Sequence, residues 1–345
     1  MSEASPVTTM ETRDPGELEE WSALQGWEAQ YVQLESGGFR ATFEGVQLGR
    51  TVLTRERWGR RISILATISD DVVPMGVVLN APRPGSHSGV PHQAGDLLFM
   101  RPGSELDLVA PSGSEVLAIH VSKSHIERVG LDLGLSDPLH DISQQKVVRS
   151  EPWIQRTLLR DISDSFEPDS ADTPLAAAER ESRIINHFLS ALDTDQDSRA
   201  TPSLDDRLRG AKRAREYIEE NLNRTVCVED IARASGVGAR ALQLWFKERY
   251  EVAPMQYLRN RRLRQVRERL LKADPDNLTV AEVATANGFS HLGRFSEYYR
   301  RTFGELPSET LRSRRLVVSY NQRPPGLIFN VRGKLQRTDD RRIRF

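Results

Sequence analysis

Between Gly38 and His120, short runs of β-forming residues alternate with breaks rich in Gly and Pro: FRATFEGVQL, RTVLTRERW, RISILATISD, MGVVLN, GDLLFMRPG, ELDLVAPSG and SEVLAIHVS. Turns about every ten residues predict a β-sandwich or barrel over about 38–122. The period then changes. In SKSHIERVG, EPWIQRTLLRDISDSF and TPLAAAERESRIINHFLSALD the apolar residues recur at steps of three or four, which predicts amphipathic helices over about 123–193 with Ser124, Ser150 and Thr173 as caps. The stretch TDQDSRATPS is polar and aperiodic and reads as a linker at 194–203, after which the pattern is helical to about Arg315. Residues 1–22 are expected to be a flexible N-terminus and 316–345 a basic tail, with disorder over its last ten residues. The expected division is therefore a region at 23–193, the linker, and a helical domain at 204–315.

The helical third contains a repeat. Val228, Ile231, Ala232, Ala234 and Gly236 match Val280, Val283, Ala284, Ala286 and Gly288 at an offset of 52; Leu242, Phe246, Tyr250, Pro254 and Leu258 match Phe295, Tyr299, Phe303, Pro307 and Leu311 at an offset of 53. Each copy reads as a short helix with a small residue at a close crossing, a Gly where positive φ is cheap, and a second helix: a helix-turn-helix. On a helical wheel Phe295, Tyr298 and Tyr299 form one stripe, as do Leu242, Trp245 and Phe246 in the first copy. The opposite arcs hold Arg240, Ala241, Gln243, Leu244, Lys247 and Glu248 in the first copy, and Gly293, Arg294, Ser296, Glu297, Arg300 and Arg301 in the second. Such arcs suit a major groove: Arg pairs with guanine, Gln with adenine, and Leu covers a thymine methyl, each good bidentate contact discriminating by about 1–3 kcal/mol. Ser290 sits where an N-cap is expected, with Arg300 and Arg301 adding attraction to phosphates. APMQYLRNRRLRQVRERLLKADP between the copies reads as one rod, spanning about 27 Å at 1.5 Å per residue, so the two outward arcs could reach neighbouring grooves. Its arginines read as a solvated surface, with Arg259 and Arg262 as candidates for backbone phosphates.

Charge changes this picture by dividing the chain. Residues 1–200 contain 18 Lys and Arg against 31 Asp and Glu, residues 201–320 contain 23 against 16, and residues 321–345 contain 7 against 2. An acidic front and a basic back point to a polyanion met by the back alone. With 345 residues, 38% hydrophobic and 28% charged, the chain has the composition of a globular protein with room for two cores. One cysteine excludes an intramolecular disulfide framework, the acidic N-terminus lacks signal-peptide order, and no apolar run approaches the roughly 20 residues that span a bilayer. A soluble protein of the cytoplasm is expected, with no membrane partner.

The residues IARASGVGARALQLWFK, the rod from Pro254 and VATANGFSHLGRFSEYYRRTFGELPSE resemble the signature of the AraC/XylS-type transcriptional regulators, over about 212–314. GFSHLGRFSEYYRRTFGELPSETL also looks like the ethanolamine-operon regulators within that family, and GDLLFMRPGSELDLVAPSG is similar to a segment of the family's sensor barrels. The resemblance implies an α+β chain: an N-terminal cupin-like β-barrel with helices after it, then an all-α domain with two helix-turn-helix units joined by a long helix. It implies base contacts from Arg240, Gln243 and Leu244 in the first unit and from Leu292, Gly293, Arg294 and Glu297 in the second. Phosphate contacts are expected from Lys247, Arg259, Arg262, Ser290, Arg300 and Arg301. Leu244 stands where Arg is frequent and Gly293 has no side chain, so the second helix is expected to add affinity more than sequence choice. Expected partners are double-stranded DNA, RNA polymerase, a small organic effector and a second copy of the chain; the expected role is activation, without cofactor, metal or enzymatic activity.

Two rivals follow from the same residues. A cupin-type metal enzyme fused to a DNA-binding domain would use His87, His92 and His120, but no His-x-His with a following Glu is present, and the three are expected to be satisfied surface residues. Cys227 is expected to be small and buried rather than nucleophilic. The second rival is a regulator controlled by a protein partner, which a front region without an internal cavity would favour.

Overall fold

The computed structural model describes residues 7–24, 27–133, 135, 137–150, 152–167, 173–192, 202–273 and 278–313. The linker expected at 194–203 lies outside them except for its last two residues, which open a helix, and the tail at 316–345 lies outside them entirely.

The sheet-rich region comprises β1 (Thr8–Thr12), α1 (Pro15–Leu24), β2 (Glu28–Gln33), β3 (Ala41–Leu48), β4 (Thr51–Trp58), β5 (Ile62–Thr67), β6 (Val72–Asn80), β7 (Gly85–His87), β8 (Val90–His92), β9 (Asp96–Phe99), β10 (Glu105–Ala110) and β11 (Ser114–Ser122). Then come α2 (Lys123–Asp132), α3 (Pro138–Gln144), β12 (Val147–Arg149), α4 (Pro152–Phe166) and α5 (Pro174–Leu192). The C-terminal helical domain contains α6 (Pro202–Glu220), α7 (Val228–Ser235), α8 (Ala239–Tyr250), α9 (Pro254–Lys272), α10 (Val280–Ala286), α11 (Leu292–Phe303) and α12 (Pro307–Arg312).

The strands form a seven-stranded sheet, β1-β3-β4-β11-β6-β9-β12, and a five-stranded sheet, β2-β5-β10-β7-β8. Among the described residues the expected barrel is thus not closed: the sheets face each other as two open layers. β11 shows why its sequence is apolar nearly throughout. Val116 packs with Phe43, Trp58, Tyr31 and Leu108 between the sheets, whereas Leu117, Ile119 and Val121 point the other way, onto Ile126, Leu158, Ile185 and Phe188 of α2, α4 and α5. A strand buried on both faces loses the polar alternation of a half-exposed one. The outer face of the smaller sheet is covered too: Val32, Leu34 and Val109 share a core with Ala214, Phe246, Tyr250 and Leu258 of the C-terminal domain. Four layers result, in the order α2–α5, large sheet, small sheet, C-terminal helices.

The sheets leave a hollow between them. One cross-strand row of the large sheet runs Thr8, Gly45, Thr54, Ala118, Gly76, Leu98, and its small central residues leave space that larger neighbours such as Phe43 and Val116 fill in the adjacent row. The cavity is about 120 Å³ and is also walled by Trp21, Ser22, Trp27 and Tyr31.

Several expectations need correction. From Val7 onward the N-terminus is folded, not flexible: Leu18 is fully buried, and the Trp21 ring lies 5.5 Å from that of Phe43. Asp14, just ahead of α1, and Glu19 within it are matched by arginines, as described below. His87 and His92 are buried rather than at the surface, and His120 is half-buried against the cavity. Cys227 is exposed as the N-cap of α7, where its backbone N–H donates to Asp230 Oδ2 at 3.0 Å. The cap of α2 is Ser122, not Ser124, while Thr173 does accept from Ala176 N at 3.2 Å at the start of α5. Among the described residues, no helix is long and apolar enough to cross a membrane.

Phe188 anchors α5 on the large sheet, its ring 5.9 Å from that of Phe99. Phe188→Ala should cost about 3–5 kcal/mol, read as a lower urea midpoint with unchanged slope.

Candidate nucleic-acid interface

Both helix pairs take the form that the repeat predicts. Val228 and Val280 open the first helices and Ala239 and Leu292 the second ones, reproducing the two offsets. Gly236 and Gly288 have φ of 74° and 78° in the turns, a region that costs other residues about 1–2 kcal/mol. α10 opens on a capping box in which Thr279 Oγ1 accepts from Glu282 N at 3.2 Å and the Glu282 carboxylate accepts from Thr279 N at 2.9 Å. Leu242, Phe246, Phe295 and Tyr299 are buried in their respective cores, Tyr298 and Trp245 only in part. Burial pushes the Tyr299 hydroxyl up to about 12, so it donates as a neutral phenol to Thr310 Oγ1 at 2.8 Å.

The opposite faces are open to solvent. Arg240, Gln243, Leu244, Lys247, Ser290, Leu292, Gly293, Arg294, Glu297, Arg300 and Arg301 are all exposed. Leu244 and Leu292, apolar as they are, lie 55% and 40% accessible on these faces. Ser290 lies one residue ahead of the N-cap, which is His291, so it is not the cap the spacing suggested. Arg301 pairs with Glu297 at 2.5 Å, one turn apart, so two of the candidate contacts bind each other in the absence of a ligand.

The other two candidates are held by the protein. Arg259 lies over the Tyr298 ring at 4.2 Å, bracing α9 against α11. Arg262 is half-buried: Nε donates to Leu222 O at 2.7 Å, Nη1 to Gly288 O at 3.3 Å and Nη2 to Arg224 O. Burial pulls this guanidinium below its ordinary value, and its donors close the carbonyls left at the end of α6 and at the turn between α10 and α11. The Arg262 seen here is a brace between the two helix pairs rather than an outward contact.

Sequence reasoning missed what happens to the remaining arginines of α9. Arg264, 4% accessible, donates from Nη1 to Asp14 Oδ1 at 2.8 Å and from Nη2 to Glu19 Oε2 at 3.3 Å. Arg267 donates from Nε to Asp14 Oδ2 at 3.2 Å and from Nη1 to Glu305 Oε1 at 2.6 Å. Burial alone would raise the Asp14 carboxyl, but the two guanidiniums outweigh it and hold it below the ordinary value. A depressed carboxyl stabilises the fold above its unfolded pKa, and that contribution is lost as pH falls through the lower folded value, so these pairs persist across the neutral range. Parallel contacts join β10 to the first helices: Asp107 meets Arg249 at 2.5 Å and Arg215 at 3.3 Å, and Glu105 meets Lys212 at 2.9 Å. The signal in the sequence was the charge division itself, acids in front and arginines behind.

Residues 231–313 match a family model described as a helix-turn-helix domain. XylDLEGF operon transcriptional activator 1 of Pseudomonas putida is 29% identical over 229 residues, 64% of this chain and 66% of that protein. In its C-terminal third the chain is similar to the AraC/XylS-type regulators. XylDLEGF operon transcriptional activator 2 of Pseudomonas putida is 43% identical over 100 residues, 29% of this chain and 64% of that protein. The chain thus spans a little under two thirds of the length of each of these relatives. The crystal structure of the AraC-like transcriptional activator CuxR aligns with 81% of this chain at 16% identity and a TM-score of 0.40. The helix-turn-helix match falls on the part of the chain that carries the exposed faces of α8 and α11, which makes them the candidate reading surface.

The two kinds of arginine can be told apart by salt. Arg301→Ala should reduce the slope of log K against log salt by about 0.9 for the loss of one phosphate contact. Arg262→Ala should instead lower the melting temperature and leave that slope unchanged.

Proposed function

We propose that this protein is an AraC/XylS-type, sequence-specific activator of transcription that acts as a homodimer in the cytoplasm and is switched by a small organic effector. Two helix-turn-helix units, α7–α8 and α10–α11, read one face of a duplex. Arg240, Gln243 and Leu244 contact bases from the first unit and Leu292, Gly293, Arg294 and Glu297 from the second; Lys247, Ser290, Arg300 and Arg301 hold phosphates. α9 has 19 residues and is about 28 Å long at 1.5 Å per residue, close to the 34 Å that separates successive major grooves. The observation that carries the reading is the exposure of both repeated faces, leucines included, in a domain whose other large apolar residues are mostly buried. α2–α5 supply the pairing surface, and RNA polymerase is the partner of the DNA-bound dimer.

The cavity between the sheets favours a small molecule over a protein as the controlling partner. Its wall and the contact to the C-terminal domain share one element. Trp21 and Ser22 of α1 face the cavity, while Asp14 at its start and Glu19 on its next turn face α9. β2 is tied into the same unit: Tyr31 N donates to Glu19 Oε1 at 2.9 Å, and the Tyr31 hydroxyl lies 3.0 Å from Ser22 Oγ. An effector that fits better with α1 displaced would weaken the hold on Arg264 and Arg267, shifting the population toward a state in which the second unit is free to dock.

Arg240→Ala should reduce affinity for the cognate site about 10-fold or more, as expected for a contact worth 1–3 kcal/mol, and barely change affinity for random DNA. Equal losses on both would remove Arg240 from the reading surface. Asp14→Asn keeps the acceptor for Gly16 N but removes the charge facing Arg264 and Arg267. It should raise operator affinity in the absence of effector several-fold in a gel-shift titration; a fall would show that the clamped form is the one that binds.

A further inference from the structure

The cavity between the sheets has a chemistry that narrows what can enter it. Its lining includes no Lys or Arg among the described residues, and its two titratable groups besides the Tyr31 phenol are Glu56 and His120. Glu56 stands on β4 directly opposite Phe43 on one side and Val116 on the other, two positions along the strand from Thr54 in the row of small residues. His120 stands two positions beyond Ala118 on β11, its ring 4.6 Å from that of Trp27 and edge-on to it. The surface that both side chains expose looks into the hollow. Burial pushes Glu56 up to about 8, with no hydrogen bond or cation opposing it among the described residues, and burial pulls His120 down to about 4. Tyr31 is also pushed up, by burial first and then by the proximity of Glu56. At neutral pH the pocket therefore holds a protonated carboxyl, a neutral imidazole and a phenol, and no net charge.

We propose that this cavity binds an uncharged, mainly apolar organic molecule about the size of one aromatic ring, which sets a hydrogen-bonding group against the Glu56 carboxyl. The proposal rests on the reading of the front region as an effector-binding unit and deepens it. An apolar cavity of about 150 Å³ admits benzene, and this one, at about 120 Å³, is of the same order. Trp21, Trp27, Tyr31 and Phe43 supply aromatic walls for such a ring. The polar end has a reason of its own: a carboxylic acid both donates and accepts, so it can satisfy a hydroxyl, carbonyl or amide of the ligand, and it gains a partner it otherwise lacks. A carboxylate ligand would be buried without a cation, and an ammonium would first have to ionise Glu56 inside an apolar wall, so both ions meet a desolvation cost that a neutral molecule avoids.

Three probes of one shape and different charge test this in the full-length protein without DNA: benzyl alcohol, benzylamine and benzoate. Binding can be followed by the fluorescence of Trp21 and Trp27. At pH 7 the alcohol should bind at least tenfold more tightly than either ion. Its affinity should be constant from pH 6 to 7 and weaker at pH 9, where an ionised Glu56 must shed water to admit an apolar body. Glu56→Gln should keep affinity for the alcohol within about threefold, and Glu56→Leu should lose tenfold or more. Ala118→Leu, which fills the hollow from the neighbouring strand β11 of the same sheet, should abolish binding of all three. Tighter binding of benzylamine, with affinity rising between pH 6 and 8, or tighter binding of benzoate, would overturn the charge assignment; binding that survives Ala118→Leu would overturn the location. Because DNA is absent, a probe that binds as expected yet leaves operator affinity unchanged in a separate gel shift would overturn the effector reading and leave the site standing.

Discussion

The nearly enclosed guanidinium of Arg264, matched by Asp14 and Glu19, is the constraint that ties α9 to the first helix of the chain. A buried pair of this kind adds little net stability when whole, but removing one partner costs about 3–5 kcal/mol because the other charge is stranded. The pair therefore acts less as glue than as a requirement of position: while α9 lies against the first helix of the chain, Asp14 and Arg264 must stay in register. The acidic front and basic back are in part a complementary pair, and Arg240 of α8 and Arg294, Arg300 and Arg301 of α11 are among the arginines left exposed. The same reading explains why the chain as a whole is close to neutral although its parts are not.

The layering makes this contact consequential. The large sheet has helices on one face and the small sheet on the other, and the small sheet offers its outer face to the C-terminal domain through Val32, Leu34 and Val109. A molecule between the sheets is thus one sheet's thickness away from the C-terminal helices. Gly45 and Gly76 matter here for what they lack: side chains of ordinary size in their row would fill the space that Phe43 and Val116 leave beside them.

Much of this was legible in the sequence, and the reasons are local. The offsets of 52 and 53 survive in the structure because a turn glycine, a small crossing residue and an aromatic stripe are each imposed by short-range geometry. The strands between 38 and 122 and the helices after them were likewise visible as changes of period. What could not be read were choices decided by distant partners. The N-terminal segment was expected to be flexible, but Asp14 and Glu19 answer arginines some 250 positions later. Arg262 looked like one more outward arginine until its three carbonyl acceptors were in place. His87 and His92 sit among turn residues, and only the pairing of β7 with β8 and β10 encloses them.

The two helix pairs are not fastened alike. The core of the first, around Phe246 and Tyr250, is continuous with the small sheet through apolar side chains, whereas the core of the second, around Val283, Phe295 and Tyr299, includes no residue of the sheet-rich region. What holds the second pair to the front of the molecule is polar: the Asp14 pairs, Gly37 N donating to Arg301 O at 2.8 Å, and Gln33 Nε2 donating to Thr302 O at 3.3 Å. Oil resists separation in water while hydrogen bonds exchange with it at small net loss. The molecule is therefore built like a gate with one welded hinge and one latch, and its easiest large movement is a swing of the distal reading head about a proximal one that stays seated.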